Sequence, residues 1–324
     1  MIGSPVGFAG DVWRSLTAVA LVPLAVGVVL HVVKVGAEAR SWHGVLSHAG
    51  ARPRRIPFRP VLGAFVASIG AGAVLPAKLA DVVRVGLLRR HPAAPGIAAV
   101  SGTIVLEAVL EALFGIAIVG WWVAAGARGT ATGAHLPVHG SPAVLGLAGV
   151  AALVAVLAGI LVRRRIAATA RRFASGFGVL RHPLVFARGV VAWKLIAWAL
   201  RFGSVAAFLA AFGLPAGPGT VAAVIAAQSV AGLIPLMPGN AGTQQAAIGV
   251  ALAGVAAASA GVAFGVGMQA ATVVADLVIG AAALPLVAAG TGSLRSRLRA
   301  LRAGLEPPRQ ARLAETPSVE CVSR

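Results

Sequence analysis

Apolar and polar positions divide this chain into long hydrophobic runs separated by short basic loops. Leu16–Val33 is the first run and predicts a crossing helix over about Arg14–Val35, after a short polar tail, Met1–Asp11, with Trp13 as an interfacial anchor. Ala37-Glu38-Ala39 has the small-x-small form of a cleavage site. The run is longer than a signal-peptide core, however, and His31 and Lys34 directly follow or end it, so it reads as a retained helix. Val61–Leu75 is the second run. Its 15 residues fall short of the roughly 20 that a crossing helix needs, and Pro76 ends it. An amphipathic helix then begins, with Leu79, Val82, Val83 and Leu87 on one side and Lys78, Asp81 and Arg84 on the other. This predicts a segment that enters a bilayer and turns back; a short core helix followed by a surface helix is the alternative.

Further along, Gly96–Trp122, Ala143–Val162 and Val190–Phe212 predict three crossing helices. Thr220–Leu236 and Gln244–Ala258 predict a second broken hairpin, interrupted at Pro235 and at Pro238-Gly239-Asn240-Ala241-Gly242. Gly261–Ala289 is the last helix. Residues 1–290 therefore form one transmembrane domain. Residues 291–324, with seven arginines from Arg295 to Arg324 and with Pro307, Pro308 and Pro317, predict a basic, mostly disordered cytoplasmic tail.

Composition agrees with this division. Charged residues make up 11% of the chain, against about 25% in a soluble domain; hydrophobic residues make up 58%, and mean hydropathy is +0.90. The expected class is an all-α polytopic membrane helix bundle. A formal charge of +19 could suggest nucleic acid, but the 28 basic residues sit in loops beside apolar runs, which fits positive-inside topology and anionic headgroups instead. Five arginines, Arg40, Arg52, Arg54, Arg55 and Arg59, make the first loop cytoplasmic. Lys78, Arg84, Arg89 and Arg90 put positive charge beyond the short run too, so a re-entrant hairpin obeys the positive-inside rule and a crossing violates it. The predicted topology is that of a multi-pass protein of the cell (plasma or inner) membrane, N-terminus outside and C-terminus inside. Cys321 is the one cysteine, and the seven histidines show no metal-binding spacing and read as surface or interfacial residues. Neither a cofactor, a metal nor a catalytic set is expected.

The two halves echo each other at a nearly constant spacing of about half the chain. Ser68, Pro76 and Asp81 recur as Ser229, Pro238 and Gln244, and Glu111–Gly115 recurs as Asp276–Gly280. A single crossing, Ala143–Val162, separates the halves, so the repeat is expected to be inverted, with a site where the two broken segments meet. Ionisable residues at membrane depth mark that site. Thr103, Glu107 and Glu111 form one stripe, and Gln269, Thr272 and Asp276 another. Lys194 can snorkel to the cytoplasmic surface, whereas Arg201 lies about 16 Å into its helix from Val190. Arg201 needs a carboxylate (Glu107, Glu111 or Asp276) or a lipid phosphate as partner. The Pro238–Gly242 turn, through Gly239 and Gly242, offers backbone N–H groups to an anion.

PAKLADVVRVGLLRR, VLEAVLE and PLMPGNAGTQQAA together resemble the transmembrane, flippase-like domain of lysylphosphatidylglycerol synthases, over about Arg14–Leu286. The family's proline, basic residue, Gly-Glu and arginine match Pro76, Lys78, Ala80-Asp81 and Arg84. Its Glu-Arg-x-x-Asp maps on Glu107 and Glu111, with Ala108 in place of arginine. Its Pro-Gly-x-x-Gly and following glutamate map on Pro238, Gly239 and Gly242, with Gln244 or Gln245 in place of the acid. The resemblance implies lipid translocation rather than synthesis, with membrane lipids bearing anionic headgroups as partners. The residues expected to line the path are Lys78, Asp81, Arg84, Glu107, Glu111, Arg201, Gly239, Gly242, Gln244 and Asp276. An intramembrane transferase working through Glu107, or a non-catalytic membrane subunit of a cell-envelope assembly, are the alternative functions.

Overall fold

The structure, a computed structural model, describes residues 5–49, 56–75, 77–127, 174–231 and 242–290. They are helical: α1 (Pro5–Thr17), α2 (Leu21–Leu46), α3 (Phe58–Val74), α4 (Ala77–Leu88) and α5 (Ile97–Ala127) in the first half. A 3₁₀ segment, Ala174–Arg181, leads into α6 (Pro183–Ala211), which contains a π-helical turn at Ala187–Val191. α7 (Pro218–Ala231), α8 (Thr243–Leu252) and α9 (Ala258–Gly290) follow. Four of these helices, α2, α5, α6 and α9, are long and apolar enough to cross a membrane. Leu21, Val22, Val29, Val274, Val278 and Leu284 on α2 and α9 are each more than half exposed, a surface that lipid tails solvate and water does not. The protein is an all-α, multi-pass membrane bundle, as the hydropathy pattern predicts. The expected crossing Ala143–Val162 and the tail after 290 lie outside the described residues.

Small residues set the closest helix contacts, as expected where lipid removes any hydrophobic drive between helices. α2 and α6 run antiparallel: Ala20 N–H donates to Ala211 C=O at 2.9 Å, Ser204 Oγ to Gly27 C=O at 2.8 Å, and Ser41 Oγ to Val190 C=O at 3.2 Å. α3 and α9 are antiparallel too, crossing at Gly70 and Gly280. A methyl group on Gly280 would lie 2.7 Å from Gly70 Cα.

α4 folds back along α3, with Ala80 against Gly72 and Arg84 against Ser68. The mouth of this hairpin meets the end of α2 and the start of α5 in one apolar cluster, built on Trp42, Leu46, Ile56, Val61, Leu88 and Val100. At 17 residues, α3 spans about 26 Å, less than a hydrocarbon core of about 30 Å. In the second hairpin α8 packs against α7, Ile248 and Leu252 sharing a cluster with Val221, Val224 and Ile225, and it also runs along the start of α9, Gln245 against Gly265 and Gly249 against Gly261. The mouth of this second hairpin joins the opposite end of the bundle, where Phe208, Val221, Leu252 and Phe264 share a cluster. Packing is exchanged between the halves: α3 lies on α9 through Gly70 and Gly280, and α7 lies on α5 through Ser229 and Gly115. Gly115 and Gly280 occupy matching places in the sequence echo, and Gly70 lies just past Ser68, the counterpart of Ser229. Such reciprocity is what a twofold internal repeat, parallel or inverted, produces.

Several expected boundaries move. Residues 5–17 form a helix instead of a polar tail, and the first crossing helix begins at Leu21, after an extended Ala20, and continues to Leu46. It outlasts the apolar run, and Lys34 and Glu38 pair with each other at 3.4 Å where that run ends. α8 stops at Leu252 rather than Ala258, the chain turning at Gly254, whose φ is +96°. α4 is inside out relative to a water-soluble surface helix: Leu79 and Val82 are exposed and Arg84 is buried. That is the orientation of an amphipathic helix with lipid outside and a polar interior.

Candidate functional site

Between the two apolar clusters lies a set of charged side chains contributed by five helices. Arg84 of α4 is held most completely. Its Nη1 donates to Glu107 Oε2 at 2.7 Å, its Nε to Ser68 Oγ at 3.2 Å, and its guanidinium lies 4.3 Å from the ring centroid of Phe65 and 5.1 Å from that of Trp42. Trp42 in turn donates its indole N–H to Thr103 Oγ1 at 3.0 Å. Thr103 and Glu107, one turn apart on α5, thus tie α2 and α4 to the same face.

Glu111, the next residue of that stripe, is shared by two cations of α6. Lys194 Nζ is 2.8 Å from Oε2 and Arg201 Nη1 is 3.2 Å from Oε1. Arg201 Nη2 also donates to Gln228 Oε1 of α7 at 3.1 Å, and its guanidinium sits 4.9 Å from the ring centroid of Trp198. The Trp198 indole N–H is buried with no hydrogen-bond partner among the described residues. Exposure separates the two cations: the Lys194 side chain is 3% exposed, Arg201 23% and Glu111 38%. Arg201 and Glu111 can meet an incoming group, whereas Lys194 cannot. Electrostatic reach joins the pairs, since Glu38 feels Lys34, Lys194 and Arg201, and Lys194 feels Glu107, Glu111 and Glu38.

Asp276 of α9 does not pair with Arg201; its Oδ1 is 2.8 Å from His31 Nε2 of α2. In the second half, Gln245 Nε2 donates to Gln269 Oε1 at 3.2 Å. These contacts follow the repeat. Lys194 stands in the second half where His31 stands in the first, and Asp276 stands where Glu111 does. Gln245 and Gln269 occupy the places of Arg84 and Glu107 in the same way. Each half therefore has one pair linking its hairpin to the following helix, and one linking that helix to the first helix of the other half.

Of the residues expected at the site, Arg84, Glu107, Glu111, Arg201 and Asp276 enter the network. Asp81 is half-buried near the hairpin tip and makes no ion pair among the described residues. Lys78 lies in the first turn of α4. Gly239 lies outside the described residues. The Gly242 N–H donates to Gln245 Oε1 at 2.6 Å, so that donor is already used within the chain rather than offered to an anion. Gln245 rather than Gln244 occupies the interior position. Lys194 does not snorkel: Glu111 holds it inside, where an ion pair replaces the water it would otherwise seek. His31 is not a surface histidine, being 14% exposed. His31, Lys34, Glu38, Lys194 and Gln228 were missed by sequence reasoning. The spacing of His31, Lys34 and Glu38 at i, i+3 and i+7 within one helix is the signal that could have found three of them. Among the described residues no three His, Cys, Asp or Glu cluster as a metal site.

A helical membrane bundle with this charged interior is the class the geometry defines. The lysylphosphatidylglycerol synthase TM region family matches residues 6–280, and the chain belongs to that family. No curated protein and no solved structure matches the chain.

Proposed function

We propose that the protein is a lipid flippase, moving a phospholipid (aminoacylated or not) or an isoprenoid-linked lipid between the leaflets of the cell membrane. One observation carries the reading: Arg201 and Glu111 remain partly exposed on helices long and apolar enough to cross a membrane. A guanidinium at membrane depth is costly and is kept where it pairs or binds. Arginine grips a phosphate through two parallel hydrogen bonds. As a headgroup phosphate arrives, Arg201 releases Glu111, and Glu111 stays neutralised by Lys194. The charged pair thus opens without stranding a carboxylate.

Both hairpins serve as re-entrant walls of the headgroup path in this proposal. Their mouths face opposite sides, so each closes the path from one leaflet. The N-terminus lies outside and the C-terminus in the cytoplasm. Glu107 is committed to Arg84, and the proposal includes no catalytic step. The test is leaflet-resolved: the purified protein in liposomes carrying labelled phosphatidylglycerol should expose inner-leaflet label to an impermeant quencher faster than protein-free liposomes do. Equal rates would refute the proposal.

A further inference from the structure

The two pairs that join the halves differ in one respect. Lys194–Glu111 joins an ammonium to a carboxylate, while its counterpart His31–Asp276 joins a carboxylate to an imidazole, whose second ring nitrogen can take a further proton. We infer that His31–Asp276 is a proton-binding site that loads together with the anionic headgroup, making the protein a proton–lipid co-transporter. This rests on the flippase reading above.

The argument is one of electroneutrality in a low-dielectric interior. Lys34, Arg84, Lys194 and Arg201 face Glu38, Glu107 and Glu111, leaving one positive charge in excess. Asp276 balances it when His31 is neutral. Asp81 is matched in sequence by Lys78 on the same helix face. The empty site is then neutral. An anionic phosphodiester on Arg201 adds one negative charge, which one proton on His31 cancels. Since Nε2 faces the carboxylate and must carry a hydrogen to bond it, the added proton goes to Nδ1. Both loaded and empty states are neutral, whereas either partner alone leaves a net charge at membrane depth.

Among the described residues, the titratable groups on the elements around His31 are those just counted and the following. Lys34 and Glu38 lie on its own face of α2 and pair with each other. α6 contributes Lys194 and Arg201, α5 contributes Glu107 and Glu111, and α9 contributes Asp276. α3 has no titratable side chain from Val61 to Val74, and Arg59 at its start is exposed. Where α2 ends, His48 meets the ring of His182, far along the helix from His31. α8 has no titratable side chain, and Asp11 and Arg14 of α1 pair in the open.

The test reconstitutes the full chain in phosphatidylcholine vesicles with a trace of labelled phosphatidylglycerol, or of labelled phosphatidylcholine in a parallel set, and imposes a pH step. Movement without a gradient reads the flippase proposal alone; redistribution under the gradient reads the coupling. Co-transport predicts that phosphatidylglycerol accumulates in the leaflet facing the alkaline side, up to about tenfold per pH unit, and that phosphatidylcholine does not. His31→Gln should remove the accumulation. His31→Lys, which keeps a charged partner for Asp276 and copies the Lys194 pair, should remove it as well, so an unstable His31→Gln still leaves a decisive variant. Phosphatidylglycerol that moves but ignores the gradient, or that responds to it equally in His31→Lys, overturns the coupling and leaves the flippase reading standing. No movement at all overturns both.

Discussion

Converting Arg84 and Glu107 to glutamine, singly and together, tests whether the interior network is organised by the repeat. Glu107→Gln leaves the Arg84 guanidinium, 10% exposed, with Ser68 and two aromatic rings but no carboxylate. Arg84→Gln leaves the Glu107 carboxylate without its ion-pair partner. Losing one partner of a buried pair costs about 3–5 kcal/mol. In the double variant the two amides can hydrogen-bond as Gln245 and Gln269 do at 3.2 Å in the other half. Neither charge is then stranded, and the expected loss falls to roughly 1–2 kcal/mol, chiefly the cation–π contacts of Arg84. The coupling between the two sites, the double loss less the two single losses, should therefore be about 4–9 kcal/mol in magnitude, beyond the roughly 0.5–3 kcal/mol usual for residues in contact. Unfolding of the detergent-solubilised variants, followed by chemical denaturation, measures it. Losses that simply add, within the scatter seen for independent sites, would show that Arg84 and Glu107 are not a stabilising pair.

Other outcomes follow from the packing. Gly280→Val must push α9 away from Gly70, whose Cα lies 2.7 Å from where the first added carbon would sit; a loss of about 1–3 kcal/mol is expected, read as reduced thermal stability in detergent, and wild-type stability would contradict the crossing. Cysteines at Ser47 and Ala93 lie at the same mouth of the first hairpin, where Leu46, Leu88 and Ala93 pack in one cluster. Both should resist an impermeant thiol reagent in intact cells, and labelling of just one would exclude a re-entrant α3–α4.

How far these features were legible in the sequence depends on whether they were local. Hydropathy and proline marked most of the helices and both hairpins, because a helix in lipid must satisfy its own backbone and so declares itself as one long apolar run. The glutamate stripe of α5 was legible for the same reason: Glu107 and Glu111 share one face of one helix. Partners were not. Arg201 had three candidate carboxylates, and only packing assigned it to Glu111, with Asp276 drawn instead to His31, 245 positions away. Lys194 illustrates the limit in another way. Its place near a helix start suggested an escape to the membrane surface, but α5 brings a carboxylate within 2.8 Å and removes the reason to escape. Gln245 read as one of two candidates for a lost acid and Gln269 as part of a polar stripe, until the geometry paired them in the places that Arg84 and Glu107 hold in the first half.

Arg201 offers the most direct measurement of the central claim. Initial rates of labelled phosphatidylglycerol translocation should be compared in liposomes bearing equal amounts of wild-type, Arg201→Lys and Arg201→Ala protein. Lysine keeps the charge and the pairing with Glu111 but loses the two-pronged grip on phosphate, so the rate should fall while the protein stays folded. Alanine removes the cation and should reduce translocation to the protein-free rate. Wild-type rates in both variants would contradict the account and make Arg201 a structural cation only.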